Sequence, residues 1–211
     1  MSGNKEKKKI VNIVEKDVDL KKQVTIYCDM MQRIDMEKKM TPVIRFAYEN
    51  YYGMNLAGIS PTWKNSYFAL ANKYLNDLSE VKPSFRELMD KIGVCDEKSI
   101  QPSFVSKLLH VLNKNEPIYD RNVRVFLETG EPNGISIEER KKSAIKLYEE
   151  KIKSFYNMEN YCDLKDMIID VFNENYSLNE CTFNISVTKK IDFIIWALGK
   201  KGVKLSELIL K

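Results

Sequence analysis

Apolar residues spaced three and four apart, opened repeatedly by helix-start signals, restrict the folds open to this chain more than any other feature. Thr41-Pro42 and Ser60-Pro61 each set a hydroxyl at the cap and a proline at the first helical position. This predicts helices over "TPVIRFAYENYYG" and "SPTWKNSYFALANKYLND". Ser84 precedes a helical pattern in "PSFRELMDKIG", with Gly93 as its C-terminal cap. Ser136, with Glu139 three positions later, forms a capping box that opens "SIEERKKSAIKLYEEKIKSFYN". "DLKDMIIDVFNEN" and "SVTKKIDFIIWALGKKG" continue the pattern. In the second of these Val187, Ile191, Ile194, Ile195 and Leu198 fall on one stripe, and Gly199 is expected to end the helix. "DVDLKKQVTIYCDMMQRIDMEKKM" also reads as helix, although its "VTIY" core would pass for a short strand. Strand-like alternation is scarce; "CTFNISV" is its best candidate, and it is short. The expected class is all-α, with eight to ten helices.

A chain of 211 residues with 44% hydrophobic content makes one large helical domain or two small, intimately packed ones. Residues 1–16 read as a charged, basic N-terminal tail, and 17–211 as the helical domain. Glycine and proline in "LETGEPNGIS" mark residues 127–136 as a loop and as the place for any subdivision. No stretch approaches the roughly 20 apolar residues that cross a bilayer, and "MSGNKEKKKIVNIVEK" lacks the apolar core of a secretory signal. A cytoplasmic protein with no membrane partner is expected. Cys28, Cys95, Cys162 and Cys181 form no C-x-x-C pair, and there is a single histidine. Zinc or iron–sulfur ligation is therefore not expected, nor any other cofactor, and the thiols read as buried and unoxidised. Net charge is only +4, but "KEKKK", "RKKSAIK" and "KKIDFIIWALGKKGVK" concentrate positive charge. Such runs are ordinarily solvated faces; gathered on one side, they would attract a phosphate backbone.

The densest phrase is "SFVSKLLHVLNKNEPIYDRNVRVF", residues 103–126. With Ser103 as N-cap, a helix from Phe104 to about Asn113 groups Phe104, Val105, Leu108, Leu109, Val111 and Leu112 in one sector. Ser103, Ser106, His110 and Asn113 occupy the opposite sector, and Lys107 lies on the border. Its stem can cross apolar surface while its amine enters a cleft. The connection to the next helix is short, so that helix must fold back, with Asp120 at its N-cap. If the two helices are neighbours, Lys107 and Asp120 meet at one mouth. By spacing alone the plainer account is that Asp120 only caps its helix and Lys107 is an ordinary amphipathic side chain.

The wording Ser-Phe-x-Ser-Lys-x-Leu-His with Pro-Ile-Tyr-Asp resembles the catalytic segment of the helix-hairpin-helix DNA glycosylase superfamily. It is most similar to bacterial proteins described as having the 8-oxoguanine DNA glycosylase fold. "KKIDFIIWALGK", residues 189–200, is similar to an Asp-x-x-x-Trp-x-Leu-Gly ending in the same group. The resemblance implies a compact multi-helix glycosylase fold and base excision from DNA, duplex or single-stranded. Lys107 would be the nucleophile that attacks the sugar C1′ and forms a Schiff base, and Asp120 the carboxylate that stabilises positive charge on the sugar. The family's glycine-rich hairpin before the lysine is missing here: "SIQPSFVS" stands in its place. Helix-terminal amides at Ser103 remain to meet a phosphate.

A flipped base needs an aromatic pocket, and Tyr48, Tyr51 and Tyr52 with Trp63 and Tyr67 are the candidates for it. Ser103, Ser106, His110, Tyr119, Tyr52 and Trp63 are the expected substrate-binding residues. Trp196 reads as core, and Asp192 as an ion-pair partner or a supporting carboxylate. Two other readings compete with repair or phage-defence excision. One is a nucleic-acid-binding module of the same fold without the chemistry, and the other a helical protein-interaction component of a defence or toxin system.

Overall fold

Six helices begin where a short polar side chain, Asp17, Ser60, Ser84, Asp120, Ser136 or Ser186, accepts one of the first backbone amides. The computed structural model describes residues 3–77, 81–96, 98–176 and 185–209. The first helices are α1 (Gly3–Lys16), α2 (Val18–Glu37), α3 (Pro42–Tyr51) and α4 (Pro61–Asn76). After α5 (Phe85–Ile92), strands β1 (Val94–Cys95) and β2 (Ser99–Ile100) pair antiparallel. There follow α6 (Pro102–Leu112), α7 (Arg121–Leu127) and α8 (Ile137–Leu147). A π-helical turn at Tyr148–Ile152 runs α8 directly into α9 (Lys153–Asn157), and α10 (Cys162–Tyr176) and α11 (Val187–Lys200) complete the set. The protein is all-α: among the described residues eleven α-helical segments stand against one two-stranded pairing. The "VTIY" core is helical within α2, whereas "CTFN" of the other strand candidate lies outside the described residues.

The cap chemistry is largely as read. Ser60 accepts from the Trp63 amide, Ser84 with Glu87 and Ser136 with Glu139 form full capping boxes, and Gly93 caps α5. The start of α6 differs: Gln101, not Ser103, is the cap residue. Pro102, with its φ fixed and no N–H to satisfy, takes the first helical position and moves the start back. Gly199 does not end α11 either. It lies inside the helix against α7, and the chain turns at Gly202, which holds a φ of +74°.

Residues 3–16 are a helix rather than a tail. Ile10 and Val14, one turn apart, are buried, and α1 packs on α10 and α11. Two lysines of this segment are held, Lys7 by Glu174 and Lys9 by Glu207, both at 2.7 Å. One apolar cluster extends from Ile10 to Leu208, and residues on both sides of the 127–136 loop contribute to it. Two helices are central. Helix α6 is touched by α4, α5 and α8, and α11 by α1, α2, α7 and α10. No helix among the described residues is long and apolar enough to cross a membrane. Cys28 and Cys95 are buried, but Cys162 is exposed at the start of α10; Cys181 lies outside the described residues.

Candidate functional site

Because α6 is packed on several sides, the middle of its polar sector is buried too: Ser106 and His110 are fully inaccessible and Lys107 is 6% exposed. Lys107 leaves α6 beside the Tyr52 and Phe104 rings, whose centroids lie 5.2 and 5.0 Å from its amine. Asp120 caps α7, accepting the Asn122 amide on Oδ1 at 2.9 Å, while Oδ2 stands 3.6 Å from the Lys107 amine. Both side chains line one cavity of about 270 Å³. Burial lowers the Lys107 amine from its ordinary range, with the Asp120 charge opposing it.

The turn that brings the pair together is pinned from four sides. Ser106 Oγ donates to the Ser103 carbonyl and accepts the Tyr119 amide, both at 2.8 Å. His110 Nδ1 donates to the Glu116 carbonyl, and Nε2 accepts from the Tyr27 hydroxyl. The Tyr148 hydroxyl meets the Glu116 carboxylate and the Pro117 carbonyl at 3.0 Å each. Helix α11 joins in at its start, where Ser186 and Thr188 donate to the Lys114 and Asn115 carbonyls. Ser106 and His110 thus clamp the turn and do not reach the cavity. Burial, with the nearby Lys189 charge, pushes His110 down to about 3, so it stays neutral.

Helix α11 supplies the opposite wall. Lys189, Asp192, Phe193 and Trp196, at positions i, i+3, i+4 and i+7, all face the cavity. Lys189 is 5% exposed, its amine above the Phe193 and Tyr27 rings at 4.5 and 5.0 Å. Asp192 is 2% exposed; Oδ1 accepts from the Tyr156 hydroxyl, and the buried Oδ2 has no hydrogen-bond partner. Burial drives this pair towards neutrality, lowering Lys189 and raising Asp192. Their mutual attraction opposes the shift, as does the Tyr156 hydroxyl at Asp192. Lys189 was legible only as part of a basic run. The signal that would have found it is the polar i, i+3 pair on an otherwise buried helix.

Of the expected aromatic pocket, Tyr51 and Tyr52 line the cavity, and the Tyr52 hydroxyl is buried without a partner. Burial holds both phenols well above their usual range. Trp63, Tyr67 and Tyr48 are core instead. The Trp63 indole N–H donates to the Ile92 carbonyl at 3.0 Å, and the Tyr67 hydroxyl to the Phe104 carbonyl at 2.9 Å. Trp196, expected in the core, is partly exposed at the cavity wall, with the Lys200 amine 5.1 Å above its ring. Tyr119 and Ser103 are absent from this cavity and line a second cleft, which shares Asp120 with it. The basic runs are partly neutralised: Lys141 pairs with Asp90 at 2.8 Å and Lys200 with Asp17 at 3.3 Å. No group of three or more His, Cys, Asp or Glu among the described residues is arranged to hold a metal ion.

The cavity therefore offers a partly desolvated amine beside a fixed carboxylate, a second buried lysine–aspartate pair and aromatic walls. No protein-family model, curated protein or solved structure matches the chain.

Proposed function

We propose that the protein excises a base from DNA, with Lys107 as nucleophile and Asp120 as the carboxylate that stabilises charge on the sugar. The neutral Lys107 amine attacks C1′ as the N-glycosidic bond breaks. The bonding pair leaves with the base, which takes up a proton. The aminal nitrogen then sheds a proton, the C1′–O4′ bond opens onto a protonated O4′, and a Schiff base remains. Asp120 Oδ2, held by the α7 cap, faces the positive charge that develops at C1′.

The observation that carries this reading is the Lys107–Asp120 approach of 3.6 Å at the wall of one cavity, with the amine desolvated. A volume of about 270 Å³ falls just below the usual range of ligand pockets, roughly 300–1,000 Å³, and suits a ligand no larger than a single base. Tyr51, Tyr52 and Trp196 supply stacking faces, and the unpartnered Asp192 Oδ2 and Tyr52 hydroxyl supply contacts to a base edge.

Borohydride reduction in the presence of duplexes carrying abasic sites or damaged bases tests it. A covalent adduct is expected in the wild type, its peptide map placing DNA on Lys107, and Lys107→Gln abolishes it. Trapping should level off at lower pH than for an ordinary lysine, because the amine sheds its proton earlier. An adduct on Lys189 overturns the assignment of the nucleophile. Base release without an adduct keeps excision but removes the Schiff base. Salt-sensitive DNA binding with neither leaves a binding module, and no DNA binding at all ends the nucleic-acid reading.

A further inference from the structure

On the far side of Asp120 lies a second cleft, of about 370 Å³, walled by Ser103, Tyr119, Asp120, Arg121, Arg124 and Arg140. Beside the apolar Ile100, Pro102 and Pro132, its polar side chains are mostly hydrogen-bond donors. Tyr119 is 2% exposed, yet its buried hydroxyl has no partner. Burial pushes that hydroxyl up to about 12, so it remains protonated and able to donate. The Nε groups of Arg124 and Arg140 are likewise buried and unpartnered. Arg124 is held in place by the Gly130 carbonyl and Glu131, both at 2.7 Å, with its guanidinium 5.3 Å from the Tyr119 ring centre. Arg121 and Arg140 make no ion pair among the described residues. Ser103 adds the first turn of α6, whose leading amides have no intrahelical acceptor. The two carboxylates present are already committed, Glu131 to Arg124 and Asp120 to the Asn122 amide and Lys107.

Buried donors left without acceptors, backed by guanidinium charge and a helix start, describe a receptor for an oxyanion. We propose that this cleft binds a phosphodiester of the same strand whose base enters the Lys107 cavity, with Tyr119, Arg124, Arg140 and the α6 amides as its ligands. The inference rests on the excision reading for the identity of the anion. The shared Asp120 wall sets the anion beside the nucleotide under attack.

Two measurements on the full chain test this. In the first, inorganic phosphate is titrated against chloride at constant ionic strength while the thermal midpoint is followed. Phosphate should raise the midpoint of the wild type, less that of Tyr119→Phe, and not that of Arg140→Gln. In the second, a duplex with a tetrahydrofuran abasic analogue carries one neutral methylphosphonate at each flanking position in turn. One position should weaken wild-type binding about tenfold and leave Arg140→Gln binding unchanged. Excision or trapping with no position coupled to Arg140 overturns the cleft's assignment and leaves the first cavity's chemistry standing. Phosphate stabilisation that Arg140→Gln removes, without any DNA binding, keeps an oxyanion site for free phosphate and overturns the strand. If a protein that still traps DNA shows neither effect, the oxyanion site is overturned.

Discussion

The Lys107 amine exchanges its water for two ring faces and one carboxylate oxygen at 3.6 Å. At that separation the ion pair is longer than a charge-assisted hydrogen bond, so little offsets the desolvation. A buried charge so weakly compensated is characteristic of groups kept for chemistry at the expense of stability. Lys107→Met should therefore leave the free energy of unfolding unchanged or raise it by about 1 kcal/mol. Asp120 is not stranded by the change, because it keeps the Asn122 amide and its side chain is 21% exposed. Urea unfolding of both proteins measures this, and a loss of about 2 kcal/mol or more would mean that the lysine is there for structure. Lys107 and Asp120 were legible because each sits at a position whose local chemistry is readable, a helix border and a helix cap. His110 and Ser106 were not, since their roles lie in tying down a turn whose path depends on Tyr27, Tyr148 and α11.

Helix α11 shows where one-dimensional pattern reading stops. Its stripe is real, with Ile191, Ile194, Ile195 and Leu198 buried, although Val187 at the end is 57% exposed. A second face, Lys189–Asp192–Phe193–Trp196, is also covered, and polarity hid it, because a charged residue on a helix is expected to face solvent. Gly199 was read as a stop signal for a different reason: its true partner, the Asn122 carbonyl, is distant in sequence. A Cβ at Gly199 would stand 1.9 Å from that oxygen, whereas one at Gly202 would meet nothing within 4 Å. Gly199→Ala must push α11 and α7 apart, and should cost about 3 kcal/mol. Gly202→Ala pays only for a left-handed backbone, about 1 kcal/mol. Since Asn122 follows Asp120 by two residues, only Gly199→Ala should also impair trapping. Thermal midpoints and adduct yields of the two variants check the order, and equal losses would contradict the helix contact.

For the whole molecule, the class was legible because caps and 3.6-residue spacing are local, whereas the standing of residues 3–16 was not. Their lysines dominate the composition, but Ile10 and Val14 decide the outcome once α10 and α11 offer a surface to cover. Removal of residues 1–16 should uncover that surface. Full burial of an aliphatic side chain contributes about 1.5–3 kcal/mol, so the two together account for about 3–6 kcal/mol as an upper value. The exposed pairs Lys7–Glu174 and Lys9–Glu207 add little to this. Against a total of about 5–15 kcal/mol for an ordinary domain, such a loss is large. It also falls on α11, the helix that carries Lys189, Asp192 and Trp196 to the cavity. The shortened chain should unfold at clearly lower urea concentration and lose adduct formation at temperatures where the full chain still reacts. A midpoint and adduct yield equal to those of the full chain would mean that α1 is an appendage and that the walls of the cavity stand without it.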